Sequence, residues 1–171
     1  MPMLNIVTYP DNFLRQPTKS IEDIDGTTQK IIEDMSYTMY ESKGVGLAAI
    51  QVGFDKSLIV YDVLQSEEKR SLQVLINPRI IESNGLITSE KEGCLSVPDL
   101  RADVKRAESV LVEGFDKEGK PMRIDAEGYL AIVLQHEIDH LNGILFLDHI
   151  SALKRELYKR HIKKKLRANS E

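Results

Sequence analysis

Five residues, His136-Glu137-Ile138-Asp139-His140, have the types and spacing to bind a divalent ion and to move a proton beside it. Residues four apart on an α-helix lie about 40° from each other around the axis, so His136 and His140 face the same way and their imidazoles can share one ion. Glu137, about 60° from His140, can reach water on such an ion yet stands off the ligating direction, which suits a general base. A lone histidine in a core helix is ordinarily a hydrogen-bonded packing residue. Two histidines and a glutamate inside an apolar helix are a different case, because three buried titratable groups without partners would be costly.

A catalytic centre of this kind needs a third protein ligand and one open position. The pattern His-Glu-x-x-His-x-x-Gly-x-x-His holds as far as Gly143 and then fails, because Phe146 stands in the third histidine's place. Glu156, 16 residues past His140, is a carboxylate candidate, although it is set among lysines. His149 is another, and Cys94 in Glu92-Gly93-Cys94-Leu95-Ser96 is a third. A single cysteine is more often a small buried hydrophobe. Here the flanking Gly93, Glu92 and Ser96, without strand alternation, give the stretch the look of a site loop. The residues alone leave two rivals open: a zinc endopeptidase with a ligand downstream of the helix, and a structural-metal RNA-binding module whose site is closed by both Cys94 and His149.

The elements that must position these groups read as α+β. Residues 27–43 form a helix capped by Thr27 or Thr28, with Ile31, Ile32, Met35 and Met39 inward. The small, glycine-rich Gly44-Val45-Gly46-Leu47-Ala48-Ala49-Ile50-Gln51 suggests close backbone approach rather than a regular strand, and lacks the lysine of a phosphate-binding loop. Short strands are expected at Ser57–Val63, Leu72–Ile76, Arg79–Glu82, Leu86–Ser89, Ser109–Phe115 and Lys120–Ile124. Asn84-Gly85 is a hairpin signal and Asp116-Lys117-Glu118-Gly119 a second turn. No helical crossovers separate the strands, so the sheets should be short and antiparallel or mixed. Glu127–Asn142 is a helix ended by Gly143; its apolar residues surround nearly the whole circumference, which marks it as the buried, central, metal-binding helix. A last helix, Ser151–Ala168, carries Leu153, Leu157, Ile162 and Leu166 as an apolar stripe opposite its lysines.

At 171 residues, with 42% hydrophobic and 29% charged composition, the chain suits one globular domain over 1–171. No apolar run approaches the roughly 20 residues that span a bilayer, and the N-terminus lacks the features of a secretory signal. One cysteine excludes an internal disulfide and fits a reducing compartment. Cytoplasmic location, with neither a membrane nor a DNA partner, is the expectation. The net charge of −4 divides unevenly: residues 151–171 carry +6 and the remainder −10. A basic tail on an acidic body is either a solvated helix face or a phosphate-contacting element.

Three motifs, Gly44-Val45-Gly46-Leu47-Ala48-Ala49-x-Gln51, Glu92-Gly93-Cys94-Leu95-Ser96 and Gln135-His136-Glu137-x-x-His140, occur in an order that resembles the bacterial-type peptide deformylases over nearly the whole chain. The resemblance implies that Cys94, His136 and His140 ligate one divalent metal, with water in the fourth position as the nucleophile and Glu137 as the general acid/base. It assigns the oxyanion donors to the Gln51 side chain and the Leu95 backbone N–H. The implied substrates are formyl-methionyl nascent peptides, the implied product is formate, and the implied metal is Fe²⁺ in the cell, with Zn²⁺, Ni²⁺ or Co²⁺ able to substitute. Relatives also hold the peptide through residues matching Val45, Gly46, Glu92, Gly93, Leu95 and Arg101. Spacing on the helix adds Tyr129, Ile132 and Val133, which share the face of His136 and should line an apolar slot for methionine; Tyr129 stands where the family commonly has an aliphatic residue. Members work beside the ribosome, so the basic last helix becomes a candidate for contact with ribosomal RNA.

Overall fold

The computed structural model of the chain describes residues 2–66 and 68–170. Its elements run α1 (Gly26–Glu41), β1 (Gly46–Ala48), β2 (Leu58–Tyr61), β3 (Gln73–Asn84), β4 (Ile87–Cys94), β5 (Val97–Arg106), β6 (Ser109–Phe115), β7 (Pro121–Glu127), α2 (Gly128–Leu141) and α3 (Ala152–Ser170). Short 3-10 turns occupy Asn12–Arg15, Ala49–Val52 and Phe146–His149. Five strands make one sheet in the order β1-β2-β3-β6-β7, and β4 with β5 makes a second. Every pairing is antiparallel, as the missing crossovers predict.

Side-chain alternation divides the larger sheet between two helices. Leu47, Leu58 and Val60 join Ile31, Ile32, Met35 and Met39 of α1, whereas Ala48, Ile59 and Tyr61 on the opposite face join Ala131, Leu134, Ile138 and Leu141 of α2. With both faces covered, β2 is buried at all four positions. Burying each Leu or Ile in such a cluster stabilises the fold by about 1.5–3 kcal/mol relative to leaving it in water. A third cluster, including Val97, Val104, Phe146, Tyr158 and Ile162, seats the β4–β5 hairpin and α3 beside the C-terminal end of α2.

Several local expectations change. The cap of α1 is Asp25, whose Oδ1 accepts from Thr28 N at 2.9 Å, rather than a threonine. The expected strands Leu72–Ile76 and Arg79–Glu82 merge, from Gln73 onward, into one strand, β3, whose register shifts around Pro78 and Asn77, the latter at φ 52°. The Asn84-Gly85 turn does not close a hairpin: β3 pairs with β6 while β4 pairs with β5, so the turn passes the chain from one sheet to the other. The glycine-rich stretch contains a true strand, Gly46–Ala48, and the site loop around Cys94 is instead the end of β4, where Cys94 pairs with Val97 across a two-residue turn. Strand β5 carried no sequence signal strong enough to assign. On α3 only Tyr158 and Ile162 are buried; Leu153, Leu157 and Leu166 are exposed.

Candidate metal centre

The hairpin tip and α2 meet at one point. Helical spacing sets the His140 and His136 Nε2 atoms 3.3 Å apart, and the end of β4 brings Cys94 Sγ to 3.3 Å from His140 Nε2. One ligand atom from each of the three residues lies within 4.8 Å of the other two. Ligands held about 2.0–2.3 Å from one tetrahedral ion stand about 3.3–3.6 Å apart, and the two 3.3 Å separations at His140 match that spacing. Neither Glu156 nor His149 joins this cluster. Glu156 pairs with Lys159 on α3, and His149 Nε2 faces Asp139 Oδ2 at 2.9 Å. Phe146, in the vacant third-histidine position, stacks on the His136 ring.

Behind the cluster runs a buried polar network. His136 Nδ1 lies 2.7 Å from Glu92 Oε1, which leaves Nε2 for a ligand. Glu92 is paired in turn with the Arg106 guanidinium, and Arg106 Nη1 donates to Asp139 Oδ2 at 2.8 Å. Burial opposes the charge on Glu92, but hydrogen bonds from His136 and Arg106 and their positive charge draw its carboxyl down to about 2. Burial likewise opposes charge on His136, yet Cys94 and Glu92 raise it above the usual imidazole value; burial and the neighbouring His136 hold His140 well below it. Gln135 fastens the helix from another side, its amide exchanging two hydrogen bonds of 2.9 Å with the Ala107 backbone.

Glu137 meets that network only at His136, whose Nε2 lies 3.8 Å from Glu137 Oε1. It is buried, and its Oε2 has no hydrogen-bond partner among the described residues. Burial pushes its carboxyl up to about 7, with His136 pulling against the rise and Glu92 adding to it. Gly46 makes room for it, since a Cβ there would stand 2.9 Å from Glu137 Cγ. Gln51 is almost fully enclosed rather than a surface amide: Oε1 accepts from Ala48 N at 2.9 Å, and Nε2 reaches Ser96 Oγ at 3.0 Å and Cys94 Sγ at 3.5 Å.

A cavity of about 670 Å³ opens beside the cluster and is lined by Val45, Gly46, Gln51, Glu92, Gly93, Cys94, Leu95, Arg101, Tyr129, Ile132, Val133, His136 and Glu137 among others. Of the residues assigned from the sequence to the metal, the reaction or the substrate, all but His140 line it, and the alternative ligands His149 and Glu156 do not. Two behave differently from their expected part. The Glu92 carboxylate is turned to His136 and Arg106, and Tyr129 is 54% exposed at the edge. Arg106 carries no sequence signal, and Asp139 and Ser96, although they stand inside the motifs, have no role there, because their partners Arg106 and Gln51 lie more than 30 residues away in the chain and no local spacing points to them.

A thiol, two imidazoles and an unpartnered carboxylate at the base of an open cavity place this α+β chain in the class of metal-dependent hydrolases. Comparison with known proteins makes the class specific. A family model described as polypeptide deformylase matches residues 3–156. The peptide deformylase of Desulfosudis oleivorans is 55% identical over 167 residues, which is 98% of this chain and 96% of the relative. Among solved structures, a peptide deformylase from Legionella pneumophila superposes with TM-score 0.90 at 44% identity, covering 99% of this chain and 98% of that one. A Met-Ala-Ser-bound class I type b peptide deformylase from Acinetobacter baumannii gives 0.82 at 32% identity, covering 87% and 99%. The chain belongs to the polypeptide deformylase family and is an enzyme.

Proposed function

We propose that the chain removes the formyl group from N-terminal formyl-methionine of newly made polypeptides, releasing formate. The observation that carries this reading is the pairing of the Cys94, His136 and His140 donor set with the free carboxylate oxygen of Glu137. The tripeptide named with the Acinetobacter relative begins with methionine, as the product would. Cys94, His136 and His140 hold one divalent ion, which when bound supplies Lewis acidity to the formyl carbonyl and lowers the pKa of water. Thiolate and imidazole accept Fe²⁺, Zn²⁺, Ni²⁺ and Co²⁺, and the reading assigns Fe²⁺ in the cytoplasm.

Glu137 takes a proton from water as its oxygen attacks the formyl carbon, and passes that proton to the amine as the C–N bond breaks. Gln51 Nε2, oriented by the Ala48 and Ser96 contacts, and the Leu95 backbone N–H donate to the formyl oxygen as charge builds there. Val45, Gly46, Gly93 and Arg101 align the peptide backbone, and Tyr129, Ile132 and Val133 receive the methionine side chain. Glu92 acts at one remove, orienting His136. The test is formate release from formyl-Met-Ala-Ser: Glu137→Ala should lose about 10²–10⁴ of the rate with its metal retained. Full activity in that variant would refute the assignment.

The second part of the proposal is a phosphate-contacting role for α3 at the ribosome. Lys165 is engaged by Asp99 at 2.7 Å, whereas Lys163 and Lys164 are exposed. Lys163→Glu with Lys164→Glu should weaken ribosome association and make its salt dependence shallower; unchanged association would sink the idea.

A further inference from the structure

The mouth of the cavity carries an excess of positive charge that the proposed chemistry does not use. Lys43 stands on one wall, three residues before Gly46, and Lys91 on the facing wall, three residues before Cys94. Three residues span at most about 10 Å, so the Lys43 and Lys91 backbones lie within that distance of Gly46 and Cys94, a span comparable to the reach of a bound peptide as far as its third residue. Arg101 lies beside them. Its guanidinium covers Gly93, whose added Cβ would sit 2.7 Å from Arg101 Cζ, and its Nη1 donates to Lys91 O at 3.4 Å.

Opposing these cations at the mouth are Glu90 and Asp99. Asp99 is already held from outside by α3, with Oδ2 2.7 Å from Lys165 Nζ and 3.2 Å from His161 Nε2. Asp103 turns to the hairpin backbone, accepting from Lys91 N at 3.0 Å. Among the described residues no carboxylate oxygen comes within 4.0 Å of the side-chain nitrogens of Lys43, Lys91 or Arg101. An acidic chain, at net −4, thus presents a cationic rim at the mouth of the cavity.

We infer that Lys43 and Lys91 are specificity-determining residues that favour formyl-methionyl chains with an acidic third residue over a basic one; the inference rests on the deformylase reading above. A carboxylate and an ammonium placed about 8–10 Å from two unpaired cations in water feel opposite potentials. At low ionic strength that difference amounts to a preference of about fivefold to tenfold, and salt should erase it because the charges are exposed.

The experiment uses the metal-loaded full chain and three C-terminally amidated peptides, formyl-Met-Ala-Glu, formyl-Met-Ala-Gln and formyl-Met-Ala-Lys. The expected kcat/KM ratio of Glu to Lys peptide is about fivefold or more in dilute buffer, falling toward one in about 1 M salt. Lys43→Glu combined with Lys91→Glu should invert the ratio, an outcome that partial unfolding would not produce. A ratio near one in dilute buffer, a preference for lysine, or a ratio unmoved by the double variant would overturn the inference. Affinities of the corresponding deformylated peptides by titration calorimetry give the same comparison without turnover. If no formyl peptide released formate, the functional reading would fail while the calorimetric ratio still decided the rim.

Discussion

Helices α2 and α3 are both rich in polar side chains, yet α2 buries eight of its 14 residues and α3 two of its 19. On α2 the enclosed polar groups are Gln135, Glu137 and His140, and each has a defined role in the geometry: a double hydrogen bond to Ala107, an unpartnered oxygen facing the cavity, and a contact in the donor cluster. On α3 the charged groups remain in water, and the helix touches the site only through its edge, where Tyr158 OH donates to Pro98 O at 2.7 Å and Lys165 meets Asp99. A buried polar group must be matched or it destabilises the fold, so its position carries chemical information that a solvated one does not. Substitutions in and behind α2 should therefore disturb chemistry, and those on α3 should leave it nearly untouched.

The largest break in that contrast should come from Glu92→Gln. It removes the anion that faces His136 Nδ1 and leaves Arg106 buried with only Asp139. Loss of an outer partner of a ligand costs about 10–100-fold in metal affinity or activity, and opening a buried ion pair costs about 3–5 kcal/mol of stability. Metal titration and denaturant unfolding would measure the two effects separately. Gly46→Ala comes next: the new methyl would press on Glu137 Cγ and displace the carboxylate. The expected result is a fall in kcat of tenfold or more with metal content unchanged, since positioning within fractions of an ångström governs proton transfer.

Much of the α2 side was legible from the sequence because its signals are local. A four-residue spacing puts His136 and His140 together whatever the rest of the chain does, and the apolar circumference of 127–142 announces burial. Its support was not legible. Arg106 arrives from β5 and Glu92 from β4, brought face to face by a hairpin pairing with irregular register, and no spacing rule predicts such a pair. Gln51 shows the same limit, since only the turn at Ala49–Val52 and the Ser96 hydroxyl turn its amide inward. The α3 stripe failed for a different reason. Periodicity gives a helix an apolar side, but whether that side finds a partner depends on the surface available, and the third core cluster has room only for Tyr158 and Ile162.

Smaller effects sharpen the α3 side. Tyr158→Phe removes the hydrogen bond to Pro98 O and should cost about 1 kcal/mol in stability, with kcat/KM changed less than threefold. The link between the two helices gives the smallest. Burial opposes charge on Asp148, but Arg15, at 2.6 Å, and the Leu145 N–H hold its carboxyl below the usual 3.8. A carboxyl lowered on folding contributes stability that is fully present above its unfolded value and is lost as the pH falls through the folded one. Asp148→Asn should therefore cost under about 1 kcal/mol at pH 7, with the difference vanishing as the pH drops below 3.8.

The central claim is that Cys94, His136 and His140 together hold one ion beside Glu137. Cobalt titration of the apo chain, followed by absorption, tests it most directly, because a thiolate ligand adds a sulfur-to-metal charge-transfer band to the spectrum of a four-coordinate ion. The account predicts one Co²⁺ per chain, a thiolate band that disappears in Cys94→Ser, and a spectrum largely kept in Glu137→Ala. A thiolate band absent from the unsubstituted chain, or binding indifferent to Cys94→Ser, would contradict it.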